Sequence, residues 1–303
     1  MRIIWLPLLI LTIHVMGLPI TENFNRAEEV SRLYQKPLVL AFVGSDWAPP
    51  FDVVDFEQGI GNQCILVKID FPELNRQSPD RIQENAALKE RFGVKTFPTM
   101  ILLASNGDEI TRFGEVGSTQ ILEAIKTYQH LLAEVAQHQK PTQGLYLRAK
   151  QLGALQLTEQ LMKKGLEERE PYFCVERYAQ MVGEGLGLTQ DAARLKETGL
   201  AADPENKLGI HLRCAMLEFQ AHEHLEKPLE AVKPLVEYIQ GVGRNDPDLW
   251  QINLFISEYL MKHNLKEEAL KFAESSMKGA PQEIREEVTH MIIDSNEKPG
   301  ALL

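Results

Sequence analysis

The chain has 303 residues, of which 44% are hydrophobic and 25% are charged, and this composition is typical of a globular protein long enough to form two domains. Its formal net charge is −11. Because phosphates attract basic surfaces, this acidity argues against a nucleic-acid-binding protein and against docking on anionic membranes.

The first 17 residues have the pattern of a signal peptide for export. Arg2 precedes an apolar run over residues 3–15, which is shorter than the ~20 residues that a helix needs to span a bilayer. No cysteine lies near the expected cleavage site around Gly17, so we expect no lipid anchor. An uncleaved membrane anchor is the alternative, and we expect no other contact with a membrane.

Residues 18–138 are predicted to form an α/β domain. Apolar runs bounded by glycine or proline indicate buried strands, and apolar residues at helical spacing indicate helices. Asn106-Gly107 is typical of a tight turn between antiparallel strands. Alternating units followed by this hairpin predict a mixed central sheet with helices on both faces. The predicted elements in chain order are a helix over 25–35, a strand over 38–43, a helix over 51–58, a strand over 64–69, a helix over 78–92, strands over 99–104 and 109–113, and a helix over 119–137 that is capped by Ser118.

Residues 139–144 are predicted to be a linker, and residues 145–303 an all-helical domain. Two segments of this domain share one spacing, in which a residue that tolerates left-handed backbone is followed by alanine and then by proline. This order is typical of helix pairs and is weakly similar to tetratricopeptide-type repeats. A generic helical bundle is the alternative. The two matching sets are Gly187, Ala192 and Pro204, and Asn264, Ala269 and Pro281.

Two motifs flank the predicted strands. Ser45-Asp46-Trp47-Ala48-Pro49-Pro50-Phe51 follows the first strand and opens a helix, and Gly93-Val94-Lys95-Thr96-Phe97-Pro98-Thr99 leads into the third strand. Their form, order and setting resemble the active-site loop and the cis-proline loop of the thioredoxin family. The Ser-Asp-Trp lead and the run Gln83-Glu84-Asn85-Ala86-Ala87-Leu88 are similar to bacterial exported proteins of the disulfide-isomerase type. The resemblance covers residues 25–135 and implies a thioredoxin fold and a periplasmic location.

The active-site loop departs from the family at the residues that carry its chemistry. The two cysteines of the family's Cys-x-x-Cys are replaced by Ala48 and Phe51, with Pro49 and Pro50 between them. The buried acid of many thioredoxins would fall at Phe42. Because disulfide exchange begins with attack by a thiolate, we expect no catalytic residue in this loop, no cofactor and no oxidoreductase activity. A thiol–disulfide interchange protein of the isomerase or reductase type is the alternative that the resemblance implies.

The same resemblance implies a surface that binds peptides. In thioredoxins an extended substrate segment lies beside the cis-proline loop and pairs with the backbone of the residue before that proline, which is Phe97 here. We therefore expect a protein or extended-peptide partner, and a helical half that serves as a scaffold or forms a homo-oligomer. Two alternatives are open: Phe51 and Phe97 only fill the space left by the missing disulfide, or the chain is a structural assembly protein that acts through its C-terminal helices. The predicted peptide-binding residues are Trp47, Pro50, Phe51, Phe97, Pro98 and Thr99.

The three cysteines do not suit a disulfide-stapled scaffold, because their number is odd. Cys64 begins a predicted buried strand and is interpreted as an inert core residue. Cys174 and Cys214 lie in the helical half, and the sequence leaves open whether they are bridged. His222 and His224 are two residues apart, which on a helix directs them to different sides, so we expect no metal site there.

Overall fold

The computed structural model describes residues 21–48, 56, 59, 63–138, 140–282, 284–286 and 289. The predicted signal peptide lies outside these residues, as does nearly all of the helix predicted over 51–58. By its backbone contacts the chain divides into two compact units between Lys164 and Gly165. The predicted linker at 139–144 falls inside the first unit.

The first unit contains one mixed sheet and the helices that accompany it. The predicted helices and strands that fall on described residues are present, with ends shifted by one or two residues. The elements in chain order are α1 (Phe24–Tyr34), β1 (Leu38–Val43), β2 (Ile65–Asp70), α2 (Pro79–Arg91), β3 (Thr99–Leu103), β4 (Glu109–Phe113), α3 (Ser118–Gln137), α4 (Gln143–Leu152) and α5 (Leu155–Glu167), which crosses the boundary between the units.

The helix ends follow local capping chemistry. Ser78 caps α2, because its Oγ accepts a hydrogen bond from the backbone N–H of Arg81 at 3.3 Å. The cap predicted at Ser118 is wrong, since α3 begins with that residue and its N-cap is Gly117. The Gly117 N–H donates to Gln120 Oε1 at 2.9 Å, so the side chain inside the helix satisfies the backbone of the cap.

The sheet has the strand order β2-β1-β3-β4. β1 is parallel to β2 and antiparallel to β3, and β3 forms a hairpin with β4. All six residues of β1 are buried, which confirms the prediction of a central strand. On one face, Leu40, Val67 and Ile101 from three strands pack with Phe24 of α1 and with Phe92 at the end of α2. This sheet and the helices that follow it confirm the predicted class, a thioredoxin fold joined to a helical region.

The described residues of the second unit form helices joined by turns, with no strand among them. Its helices contact each other most extensively as three consecutive pairs, and a short 3₁₀ helix at Val242–Asn245 follows the second pair. Within the described part of either unit, no helix is both long enough and apolar enough to cross a membrane. The pairs are α6 (Pro171–Gly183) with α7 (Gln190–Ala202), α8 (Ile210–Glu223) with α9 (Pro228–Gln240), and α10 (Leu249–Lys262) with α11 (Lys266–Gly279).

The repeated spacing found in the sequence corresponds to two of the turns between paired helices. Asn264 has a left-handed φ of 61° in the turn between α10 and α11. In the turn between α6 and α7 this conformation belongs to Gly185, with a φ of 76°, and Gly187 does not adopt it. Ala192 and Ala269 are fully buried in the second helix of their pairs, where a small side chain allows close helix packing. Membership of the tetratricopeptide repeats stays a prediction.

Candidate functional site

The loop after β1 presents a large aromatic side chain at the surface. Trp47 is 45% exposed, and its Nε1–H donates to the backbone oxygen of Phe71 at 2.6 Å. The indole ring lies so close to Gly44 that a Cβ on that glycine would be 2.3 Å from Trp47 Cε2. A residue without a side chain is therefore required at position 44 for the ring to lie against its own loop.

Asp46 fixes this loop to the segment that follows β2. Its Oδ1 accepts from the N–H of Glu73 at 2.9 Å, and its Oδ2 accepts from the N–H groups of Leu74 and Asn75 at 2.8 and 3.1 Å. These backbone donors, Glu73 first, hold the pKa of the Asp46 carboxyl below its ordinary value. The negative charge of Asp46 thus holds the loop in this conformation.

Asp70, the last residue of β2, makes a second connection to the loop. Its Oδ1 accepts from the N–H of Ser45 at 2.9 Å, and its Oδ2 lies 3.0 Å from Lys68 Nζ. Although burial opposes ionisation, the hydrogen bonds from Ser45 and the ammonium of Lys68 keep the pKa of Asp70 below its ordinary value. Buried Asn85 of α2 donates through Nδ2 to the backbone oxygen of Asp70 at 2.8 Å, so β1, β2 and α2 support one site.

The loop before β3 has the backbone geometry that the family resemblance implies. The Phe97-Pro98 peptide bond is cis. Thr99 is only 8% exposed, and its Oγ1 donates to the backbone oxygen of Thr96 at 2.6 Å. Within the described residues, neither the N–H nor the C=O of Phe97 has a hydrogen-bond partner. One length of backbone is therefore available to pair with another extended chain.

Three aromatic rings from three loops form one surface, which we call the aromatic platform: Trp47, Phe71 and Phe97. The ring centroid of Phe97 lies 5.4 Å from that of Trp47 and 5.0 Å from that of Phe71. Both distances lie within the range of favourable aromatic pairs. Lys89 of α2 places its Nζ 5.2 Å from the centroid of Phe97 and 5.8 Å from that of Phe71. The platform thus carries a cation at one side.

Comparison with known proteins finds similarity to two proteins of Chlamydia pneumoniae. No family model matches the chain. The thioredoxin-related protein DsbJ of Chlamydia pneumoniae is 23% identical over 296 residues, which are 89% of this chain and 85% of that protein. The disulfide bond reductase DsbH of Chlamydia pneumoniae is 30% identical over 101 residues, 31% of this chain, and the match spans only 61% of DsbH. The strand order and the helices of the first unit give it a thioredoxin-like fold.

A solved structure titled DsbH oxidoreductase is similar to part of this chain. It is 26% identical, covers 37% of this chain and 85% of its own, and has a TM-score of 0.31.

The three thiols of the chain are all buried, and none forms a disulfide. Burial raises the pKa of Cys64 to about 12 and that of Cys214 to about 11, and it also raises the pKa of Cys174. Buried thiols of raised pKa are poor nucleophiles. The prediction that Cys64 is a core residue is confirmed, and it lies immediately before β2. Cys174 and Cys214, whose pairing the sequence leaves open, are not bridged.

The structure brings together part of the predicted site. Trp47 and Phe97 are in contact, and Pro98, which directly follows Phe97, is half-buried. Thr99 lies in β3, and its hydroxyl donates a hydrogen bond to the backbone oxygen of Thr96. Ala48 is half-buried directly after Trp47. The predicted residues Pro49, Pro50 and Phe51 lie outside the described residues.

Sequence reasoning missed Phe71 and Lys89, as well as the fastening role of Asp46. A signal for Phe71 was available, because it directly follows β2, and β2 is parallel to β1. The carboxyl ends of neighbouring parallel strands meet at one edge of a sheet, so residues after both strands belong to the same site. Lys89 carries no comparable signal, since its position depends on how α2 packs.

Replacing Asp46 by asparagine is expected to destabilise the thioredoxin-like domain in a pH-dependent way. Because the folded pKa of Asp46 lies below its reference value of 3.8, its ionised form stabilises the fold above a pH of about 4. This contribution is lost as the pH falls through the folded value. In urea unfolding at pH 7, the free energy of unfolding of D46N should be lower than that of the wild type. This difference should narrow as the pH is lowered. E123Q, on an exposed residue of α3, is the control. An equal deficit at every pH would contradict the assignment.

Proposed function

We propose that this chain is an exported, redox-inactive thioredoxin-like protein that binds extended polypeptide without forming a covalent bond. The binding surface is the aromatic platform together with the backbone of Phe97 and the cis-proline Pro98. The helical second unit serves as a scaffold for the partner or for a second copy of the chain. The N-terminal pattern over residues 1–17 supports export.

The single observation that carries the proposal is the backbone of Phe97. Its N–H and C=O lack partners within the described residues, and they lie beside exposed Trp47 and a cis peptide bond. Unpaired backbone groups next to apolar rings suit an extended peptide, because main-chain hydrogen bonds give affinity and the rings accept alternate side chains. This surface needs no sulfur to act.

Disulfide exchange is the rival function, since one relative is named a disulfide bond reductase. That chemistry needs a thiolate at the start of the active-site loop, and this chain has Ala48 there and no sulfur at position 51. The three cysteines that it does contain are buried. We therefore infer that the chain has kept the surface on which such proteins hold polypeptide and has lost the electron transfer.

Binding of cysteine-free peptides tests the proposal. The probe is an array of short peptides tiled through unfolded exported proteins, with blocked ends and every cysteine replaced by serine, so that only non-covalent binding is detected. W47A and F97A should each weaken binding of the best peptides about thirtyfold, because truncating an aromatic anchor at the centre of an interface removes about 2 kcal/mol.

L33A is the matched control, because Leu33 is a 74% exposed apolar residue on α1 of the same unit. It should bind like the wild type. Absence of any peptide binding to the wild type would overturn the proposal. If W47A and F97A both bind peptides as the wild type does, the binding function would instead be assigned to the helical second unit.

A further inference from the structure

We infer that the groove beside the aromatic platform binds the side-chain carboxylate of an aspartate or glutamate in the bound peptide, with Lys89 as its cation. This inference rests on the proposed function and names the class of peptide that the surface prefers. The groove has a volume of about 630 Å³ and lies between the segment after β2, the exposed side of α2 and the turn after α2. Its lining includes Phe71, Ile82, Lys89, Glu90, Val94 and Lys95.

In the described part of the chain, the Lys89 ammonium is held on aromatic rings and not by a carboxylate. It lies over the faces of Phe71 and Phe97, which attract a cation but accept no strong hydrogen bond. Within the described residues, no carboxylate lies within ion-pair distance of Lys89 Nζ. An ammonium carries three N–H donors, so it can hold a carboxylate from a ligand while it stays on the rings.

The charged residues around the groove favour an anion. The groove is lined by two lysines, Lys89 and Lys95, and by one acidic residue, Glu90. Nearby Asp46 directs its carboxylate to three backbone N–H groups, and Asp70 is paired with Lys68. The lining of the groove therefore carries one more positive than negative charge, on a chain whose net charge is −11. Such a reversal favours an anionic ligand.

The side chain of Phe97 connects the groove to the free backbone. Lys89 Nζ lies 5.2 Å from the ring centroid of Phe97, and the N–H and C=O that lack partners within the described residues belong to the same residue. Side chains on one side of an extended peptide recur about every 7 Å. A peptide paired with Phe97 thus places a side chain at the groove within two residues of the paired position. Phe71, Ile82 and Val94 give that side chain an apolar wall, and Lys89 binds its carboxylate.

The test uses peptides that bind the wild type, with acetylated and amidated ends so that only side chains carry charge. Changing the acidic residue near the paired position to its amide should weaken binding to the full chain about fivefold, as expected for a partly exposed ion pair. K89M should bind the acidic and amide forms equally, because methionine keeps the apolar stem without the charge. K89R, which keeps the charge, should preserve the preference for the acidic form.

K126M, on an exposed lysine of α3, is the control and should retain the wild-type preference. A charge swap completes the design: K89E should prefer a peptide with lysine at the acidic position. The far-ultraviolet circular dichroism of each variant verifies folding.

The possible failures are distinguishable. If the wild type binds acidic and amide peptides equally, or if K89M keeps the preference, the carboxylate groove is refuted while peptide binding stands. If the preference appears only with peptides that have a free C-terminus, the ligand is a terminal carboxylate and the inference is likewise refuted. If no peptide binds the wild type, the proposed function itself fails.

Discussion

The wild-type chain is expected to leave the disulfides of insulin intact, so that reduction by dithiothreitol proceeds at the uncatalysed rate. The active-site loop contains no sulfur, with Ala48 at the position of the attacking cysteine. Burial raises the pKa of the Cys64 thiol to about 12. At pH 7 only roughly one such thiol in 10⁵ is ionised, which is far too few for exchange. The turbidity of precipitating insulin chains measures the rate.

Restoring one sulfur should produce covalent capture without turnover. A48C places a thiol directly after Trp47, and without a second cysteine at position 51 nothing resolves a mixed disulfide. The new thiolate should attack a peptide whose cysteine is joined by a disulfide to thionitrobenzoate, release thionitrobenzoate and leave the peptide disulfide-bonded to the chain. Mass spectrometry should detect this complex, and W47A in the same background should reduce its yield. A87C, on an exposed residue of α2, is the control for an ordinary surface thiol. Insulin reduction by the wild type above background, or a client trapped on its own cysteines, would contradict the redox-inactive assignment.

G44A should disable the binding surface without replacing any residue of the aromatic platform. The added methyl carbon would lie 2.3 Å from Cε2 and 2.6 Å from Nε1 of Trp47, so the indole must move. It then loses its hydrogen bond to the Phe71 oxygen and its edge contact with Phe97. We expect peptide affinity to fall about as far as in W47A, by about thirtyfold, and the free energy of unfolding to fall by about 1–3 kcal/mol.

G114A provides the matched control, because among the described residues, its chain neighbours aside, no atom lies within 4 Å of a Cβ built on Gly114. Peptide titration and near-ultraviolet circular dichroism, which reports on the packing of the indole, would follow the change. A G44A protein with wild-type affinity and an unchanged aromatic spectrum would show that the ring position is not what prepares the surface.

The sheet was predictable because each strand carries its own signal. Six apolar residues in a row at 38–43, followed by Gly44, favour a strand buried on both faces, and Asn106-Gly107 indicates the hairpin. The cis-proline loop was predictable for a different reason, since its order relative to the tryptophan loop is specific to the thioredoxin fold. Trp47 and Phe97 followed from the two motifs together.

The remainder of the site depends on tertiary packing, which leaves little trace in local sequence. Lys89 is one of several lysines on amphipathic helices, and only the placement of α2 brings its ammonium over Phe71 and Phe97. Thr99 belongs to the cis-proline motif, yet its hydroxyl donates to the nearby Thr96 oxygen. In the helical unit, Gly185 takes the left-handed turn predicted for Gly187, because either glycine can adopt that backbone and the neighbouring helices decide between them.

The hydrogen bond between the indole of Trp47 and the Phe71 oxygen limits which features of a bound peptide the aromatic platform can distinguish. The one polar atom of that side chain is already occupied. A bound chain therefore meets only carbon surface there, and carbon surface makes no directional demand on the residue that covers it. The register of the bound chain is left to the main chain at Phe97 and to Lys89, so many unrelated sequences satisfy the aromatic part of the surface equally well.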